Sequence, residues 1–319
     1  MDGIEVDLRL LRVFKAVADA GGFSNAQTVL NLNPSTISTQ MSALEAHLGY
    51  TLCQRGRSGF KLTDHGAAFY RQVVELFQSV DRFASSAAEL RGGLNGRLRI
   101  GFLDNVVTDP DSPLREAIGR FVKRRHNRVQ LSLEVLGPRQ LEQGLLDETI
   151  DVAVGIFFSE LPSLTYRPLY EESEVLVCHC SHPLASMDDV GEQARAIPFA
   201  TKVIRTFMDE REFPFPTPDD GPQAATVTNV EAAAMLVLSG EYIGFLPSHY
   251  ARGWIDRGEM VVLLPDRFVR RSRFSLVTRT YAALMSTALQ TFLHCSGEAK
   301  AAIVSRQQAT TGRASTVTV

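Results

Sequence analysis

The chain has 319 residues, about two domains at roughly 100–200 residues each, with the 45% hydrophobic and 22% charged content of a soluble globular protein. Its net charge of −3 excludes nucleic-acid binding as a property of the whole chain, so any such binding must be local. The sequence shows no membrane-length apolar run and no charged-then-apolar N-terminal leader, and its four cysteines (Cys53, Cys178, Cys180, Cys295) are too few for a disulfide framework. A cytoplasmic protein without membrane contact is expected.

A first helix is expected from Val6 to Ala20, with Leu10, Phe14, Val17 and Ala18 buried and Gly21-Gly22 as its stop. Ser24 is expected to cap a short second helix whose inner face is Ala26, Val29 and Leu30. In the third, "NPSTISTQMSALEAHLG", Ile37, Met41, Leu44 and Leu48 recur at steps of four, three and four. Asn33 suits its cap, Pro34 its first position and Gly49 its stop. Its other faces carry Ser35, Thr36, Ser38, Thr39, Gln40 and Ser42, although serine and threonine are middling helix formers. Two helices joined by a tight turn, the second rich in short polar groups, describe a helix-turn-helix. Short hydroxyls and amides let a helix backbone approach the major groove and reach base edges and phosphates.

Thr51 and Leu52 are expected to begin a strand, Arg57-Ser58-Gly59 to form a hairpin tip, and Phe60–Leu62 to return. This β-wing places Arg55, Arg57 and Lys61 for phosphate contact. The alternative is a small helical domain with a polar outer face.

The segment from Phe14 to Gly66 resembles, without a gap, the N-terminal winged helix-turn-helix of LysR-type transcriptional regulators. The most specific matches are Ala16-Val17-Ala18, Phe23-Ser24, Ser38 with Gln40, Leu44-Glu45, Leu48-Gly49, Arg55, and Leu62-Thr63 with Gly66. Departures from the family pattern are Gln27 for an alanine, Cys53 for a phenylalanine, Thr39 for a basic residue, and Pro34 where an amide often stands. On this reading Pro34, Ser35, Thr36, Ser38, Thr39, Gln40, Arg55, Arg57 and Lys61 bind DNA.

The next helix, capped by Thr63, carries Phe69, Leu76, Phe83 and Leu90 at intervals of seven, interleaved by Val73, Val80 and Ala87. That two-in-seven seam is a coiled-coil pattern, the alternative being a helix packed on its own domain. The resemblance implies a dimerising linker helix, hence a homodimer or homotetramer with two recognition helices on a two-fold-related site.

After the glycine-rich hinge "RGGLNG" at 91–96, strand and helix patterns alternate: "LRIGFL", a helix from Ser112-Pro113, "VQLSLEVL" in strict period two, helix "RQLEQGLL", and "DVAVGIF". Then come "EVLVCH", "IPFA", helix "NVEAAAMLVLSG", "YIGFLP", helix "SHYARGWI", "MVVLLP", "FSLVTR" and a last helix near "STALQTFL". This predicts α/β structure with largely parallel strands in two lobes around a cleft. The resemblance extends here to the family's effector domain, which is similar to periplasmic binding proteins. The organisation expected is a winged helix-turn-helix over 1–63, a linker helix over 64–92, an effector-binding domain over 93–305 and a disordered tail over 306–319. The first lobe would span about 97–166 and 271–300, the second 167–270.

A ligand in such a sheet lies beyond the carboxyl ends of the strands, where helix N-termini point. The loops there nominate Asn105, Val106, Pro138, Arg139, Phe157, Thr201, Lys202, Asn229 and Phe245 for effector binding. Thr201 and Asn229 would hydrogen-bond a carboxylate, Lys202 or Arg139 would add charge, and the phenylalanines would line an apolar part, favouring an organic acid. "CHCSH" lacks zinc spacing, and Cys178 and Cys180 share one face of a strand as small buried fillers. No HExxH, P-loop, GxSxG or GxGxxG pattern occurs, so neither an enzyme nor a cofactor or metal is expected. The partners expected are double-stranded DNA, a second copy of the chain and a small-molecule effector, with RNA polymerase a further candidate. The competing function is a cytosolic redox-sensing or solute-binding protein whose N-terminal domain serves assembly only.

Overall fold

Helix α1 (Leu8–Asp19) starts at Asp7, whose carboxylate accepts from the Arg9 N–H at 2.7 Å. The structure, a computed structural model, describes residues 7–56, 59–89, 93–208, 224–280 and 286–314. The chain divides into two units, Met1–Ala84 and Ser85–Val319.

In the first unit, Leu11, Val13, Phe14 and Val17 of α1 are buried. Gly21 and Gly22 turn the chain at φ 65° and 153°, values that favour glycine. Gly22, rather than Ser24, is the N-cap of α2 (Phe23–Leu30). Val29, expected inward, is 72% exposed. It stands about 100° around the helix from Leu30, off the line from Ala26 to Leu30 that faces the core. Helix α3 (Pro34–Leu48) buries Ile37, Met41 and Leu44; Asn33 holds its N-cap position without a side-chain capping bond, and Gly49 ends it at φ 77°. The Glu45 carboxylate accepts from the backbone N–H of Leu52 at 2.7 Å and of Cys53 at 3.3 Å, fixing the turn out of α3.

Strands β1 (Cys53–Gly56) and β2 (Gly59–Leu62) pair antiparallel with Arg55 opposite Phe60. Arg57 and Ser58 lie outside the described residues. Helix α4 (Asp64–Glu89) begins with the Thr63 hydroxyl accepting from the Gly66 N–H at 2.9 Å. A Cβ at Gly66 would lie 1.8 Å from the Leu52 carbonyl oxygen, so only glycine permits this approach.

In the second unit, β3 (Arg97–Phe102) pairs in parallel with β4 (Gln130–Val135) and β5 (Val152–Ile156). The long strands β6 (Leu164–His179) and β11 (Val269–Arg279) run antiparallel to each other, and β11 is antiparallel to β5. Strands β9 (Gly244–Pro247) and β10 (Met260–Val262) pair antiparallel with the far end of β6. A separate parallel pair, β7 (Val203–Arg205) and β8 (Ala225–Val227), is tied to this end by a Lys202–Ile243 bridge. The expectation of largely parallel strands is therefore corrected to a mixed arrangement. The reason is that β6 and β11 cross the whole unit once in each direction, and every strand added to β6 runs against it.

Helices α5 (Leu114–Val122) and α6 (Pro138–Leu146) accompany β3–β5; α7 (Val190–Ala196), α8 (Val230–Leu238) and α9 (Ser248–Asp256) accompany the far half. Separate cores result, one around Phe121, Phe274 and Phe292, another around Leu176, Ile243 and Phe245. "IPFA", expected among the strands, forms a 3-10 turn over Ile197–Phe199, since Pro198 has no N–H for a ladder. The alternation of "VQLSLEVL" becomes a core-facing side only in part: Val129 and Leu131 pack against the core, but β4 is an edge strand, and Leu133 is 46% and Val135 59% exposed.

The tail expected to be disordered from residue 306 instead continues helix α10 (Thr287–Ala314). Arginine, glutamine and alanine are good helix formers. Arg306 also pairs with Glu116, and the Gln307 amide donates to Asp111 at 2.6 Å. Residues 315–319 lie outside the described residues. Cys178 is buried, which pushes its thiol up to about 12, but Cys180 is exposed because β6 ends one residue before it.

Candidate functional site

In the first unit, packing of Ile37, Met41 and Leu44 turns the polar side of α3 outward. Pro34, Ser35 and Thr39 are exposed, and Thr36, Ser38 and Gln40 are half-buried. The Thr39 hydroxyl donates to the Ser35 carbonyl at 2.9 Å, a bond back into the helix. The Gln40 Oε1 is buried and has no hydrogen-bond partner among the described residues. Lys61 is exposed on β2, while the Arg55 side chain and all of Arg57 lie outside what is described. The exposed face thus offers short donors and acceptors, with a lysine on the adjoining hairpin.

The seam of α4 divides. Val73 is buried and Phe69 packs beside it against Phe14, with ring centroids 5.6 Å apart, so this part belongs to the unit's own core. Leu76 is 39% and Phe83 76% exposed, and Val80 is half-buried. Leu90 and the Ala87 side chain lie outside the described set.

In the second unit, a cavity of about 370 Å³ opens between the ends of β3 and β4 and the segments after β7 and β8. That volume suits a small ligand. Leu103 and Asp104, the α6 start at Pro138 and Arg139, Phe207, and Thr228-Asn229 contribute to its wall. Asp104 Oδ2 accepts from the Val230 N–H at 2.6 Å and from the Asn105 side chain at 2.9 Å, while Asn229 caps α8 by accepting from Ala232 at 2.8 Å. Burial raises the Asp104 pKa, and its bond from Val230 opposes the rise. Arg205, the last residue of β7, pairs with fully buried Glu174 at 2.5 Å; Arg270 pairs with the same carboxylate at 2.9 Å. The Arg205 guanidinium also lies 5.6 Å from the Phe207 ring centroid.

Of the residues nominated for effector binding, Pro138, Arg139 and Asn229 line this cavity, and Asn105 is bonded to its wall. The others are placed elsewhere. Val106 is in a core, Phe157 packs edge-on to Tyr166 at 5.4 Å, and Phe245 is buried beneath the Arg270 guanidinium, 5.3 Å away. Lys202 is buried with its ammonium donating to the Pro198 carbonyl at 2.6 Å, and burial lowers its pKa. Thr201 gives its carbonyl to Ile243 at 2.9 Å and is absent from the cavity wall. Asp104, Gln140, Thr206, Phe207 and Thr228 also line the cavity. Asp104, Gln140 and Thr228 stand in the strand-end loops that the sequence marks, whereas Thr206 and Phe207 follow a three-residue strand too short to show a period.

Family models match both parts of the chain: a bacterial regulatory helix-turn-helix protein of the lysR family over residues 8–67, and a LysR substrate binding domain over residues 91–301. The HTH-type transcriptional activator BauR of Pseudomonas aeruginosa is 35% identical over 275 residues, 86% of this chain and 90% of the relative. The HTH-type transcriptional regulator BenM of Acinetobacter baylyi is 27% identical over 76% of this chain and 81% of its own. Among solved structures, full-length CbnR in complex with its target DNA aligns with a TM-score of 0.62 at 22% identity, covering 92% of this chain and all of that one; this likeness is one of fold. Two matched domains in this order, with a relative of such identity along most of the chain, make this protein a member of the LysR family of transcriptional regulators.

Proposed function

We propose that α3 enters the DNA major groove and that its hydroxyl face reads the operator, with Lys61 and the wing arginines Arg55 and Arg57 on the phosphates. The single observation that carries this reading is the polar strip Ser35, Thr36, Ser38 and Thr39 on the side of α3 away from the core. A second copy of the chain covers Leu76 and Phe83 of α4, and the resulting homodimer or homotetramer presents paired reading helices. The effector is a small organic acid whose carboxylate meets Arg139 and the start of α6 in the cavity beside Asp104. Its binding shifts the population between arrangements of the subunits and so the spacing of the two DNA-reading heads.

The test is recovery and sequencing of genomic fragments retained by the purified full-length protein, with retention followed against salt. A shared two-fold-related sequence and a steep fall of affinity with salt are expected. Retention without sequence preference would overturn the reading. Calorimetric titration with a panel of small acids tests the effector, Arg139→Ala being expected to weaken the acid that binds and Thr201→Val to leave it unchanged.

A further inference from the structure

Three side chains from separate segments converge elsewhere in the second unit. His249 Nε2 lies 3.0 Å from Glu172 Oε1 and 3.5 Å from Asp109 Oδ2. All three ligand atoms lie within 4.8 Å of one another. Glu172 is 3% and Asp109 7% exposed. Glu172 sits in the middle of β6, Asp109 in the loop between β3 and α5, and His249 in the first turn of α9. None of the three lines the cavity beside Asp104.

Two observations point to a cation site. First, Asp109 Oδ2 is buried with no hydrogen-bond partner among the described residues, although Oδ1 is held by the Asp111 N–H at 2.8 Å. The carboxylate is therefore oriented with one oxygen facing the cluster. Second, the Thr108 hydroxyl donates to the Asn105 carbonyl at 3.2 Å, which leaves its oxygen to accept from His249 Nδ1 at 3.0 Å. The imidazole is thereby turned with Nε2 toward both carboxylates, and one ring nitrogen with two buried carboxylates is a donor set that a single cation would hold together.

We propose that Asp109, Glu172 and His249 form a binding site for one divalent transition-metal ion. At metal–ligand distances of about 2.0–2.2 Å, ligand atoms around a tetrahedral ion lie about 3.3–3.6 Å apart, near the 3.0 Å and 3.5 Å that separate His249 Nε2 from Glu172 and Asp109. One imidazole and two carboxylates suit zinc or manganese and leave a fourth position open. Thr108 orients the imidazole and the Asp111 N–H the Asp109 carboxylate, the outer bonds that a metal ligand ordinarily has. The ion would join the β3–α5 loop, the crossing strand β6 and α9 at one point. The assignment is independent of any DNA sequence or effector.

The experiment uses full-length protein carrying Cys180→Ser, stripped with a chelator and titrated with zinc chloride and with manganese chloride by calorimetry. Thermal unfolding is followed in parallel. One equivalent of metal is expected to bind and to raise Tm. Glu172→Gln and Asp109→Asn keep side-chain shape and are expected to bind at least tenfold more weakly; His249→Ala is expected to lose the equivalent altogether. Circular dichroism confirms folding, and if His249→Ala fails to fold the two amide variants decide. Failure of the unsubstituted site to take up either metal, or equal uptake by the amide variants, overturns the proposal and leaves a histidine bonded between two acids.

Discussion

The Asp104 carboxylate, at the end of β3, accepts a hydrogen bond from the backbone N–H of Val230, 2.6 Å away at the first turn of α8. A negative charge at a helix N-terminus is favourable by about 0.3–1 kcal/mol. Here burial outweighs it, since the Asp104 pKa is raised from its ordinary 3.8. A raised carboxyl pKa means the folded state binds its proton more tightly than the unfolded state. The stability cost is therefore absent below the ordinary value, 3.8, and develops as pH rises through the folded value. Asp104→Asn keeps an acceptor for Val230 and removes the charge. It is expected to match the parent Tm in strong acid and to exceed it at neutral pH; thermal scans across pH check this, and a variant less stable at neutral pH would contradict it.

Ser38→Ala and Lys61→Ala separate readout from attraction. Ser38 lies on the polar strip of α3, so its loss is expected to cost about 1–3 kcal/mol at the preferred site and to narrow the gap to other sites. Lys61 is exposed on β2, so its loss is expected to weaken all sequences alike and to reduce the salt slope by about 1. Fluorescence anisotropy at several salt concentrations distinguishes the two patterns.

The divided seam of α4 predicts two different failures. Leu76→Glu with Phe83→Glu changes residues exposed in the single chain, so the first unit is expected to stay folded while sedimentation shows a lighter species. Val73→Glu puts a carboxylate in that unit's core and is expected to unfold it. A Leu76/Phe83 variant of unchanged mass would remove these residues from the interface.

Gly66→Ala is expected to destabilise the first unit by about 3 kcal/mol or more, against the usual gain from alanine in a helix. The added Cβ would lie 1.8 Å from the Leu52 carbonyl oxygen, and backbone cannot step aside as a flexible side chain can. Chemical denaturation of the first unit's signal checks it.

Much of the first unit was written locally. The apolar stripe of α3, the stop at Gly49 and the Thr63 cap follow from periods and turn preferences within a few residues of each position, and the structure places all three as read. Whether an apolar residue finally meets its own core or solvent was not written there. Val73 and Phe83 occupy the same heptad seam, yet only Val73 has the α1 side of the core to pack against. The second unit shows the same division more sharply. Its strands and helices were largely readable, but β6 and β11 owe their length and antiparallel pairing to each other across about a hundred residues of chain, beyond the reach of any local pattern. The polar wall of the cavity, and the meeting of Asp109, Glu172 and His249, arise because distant segments end at one place. Sequence spacing records neighbours along a helix or strand; which loops converge is decided by sheet order and by burial, and those exist only once the chain has folded.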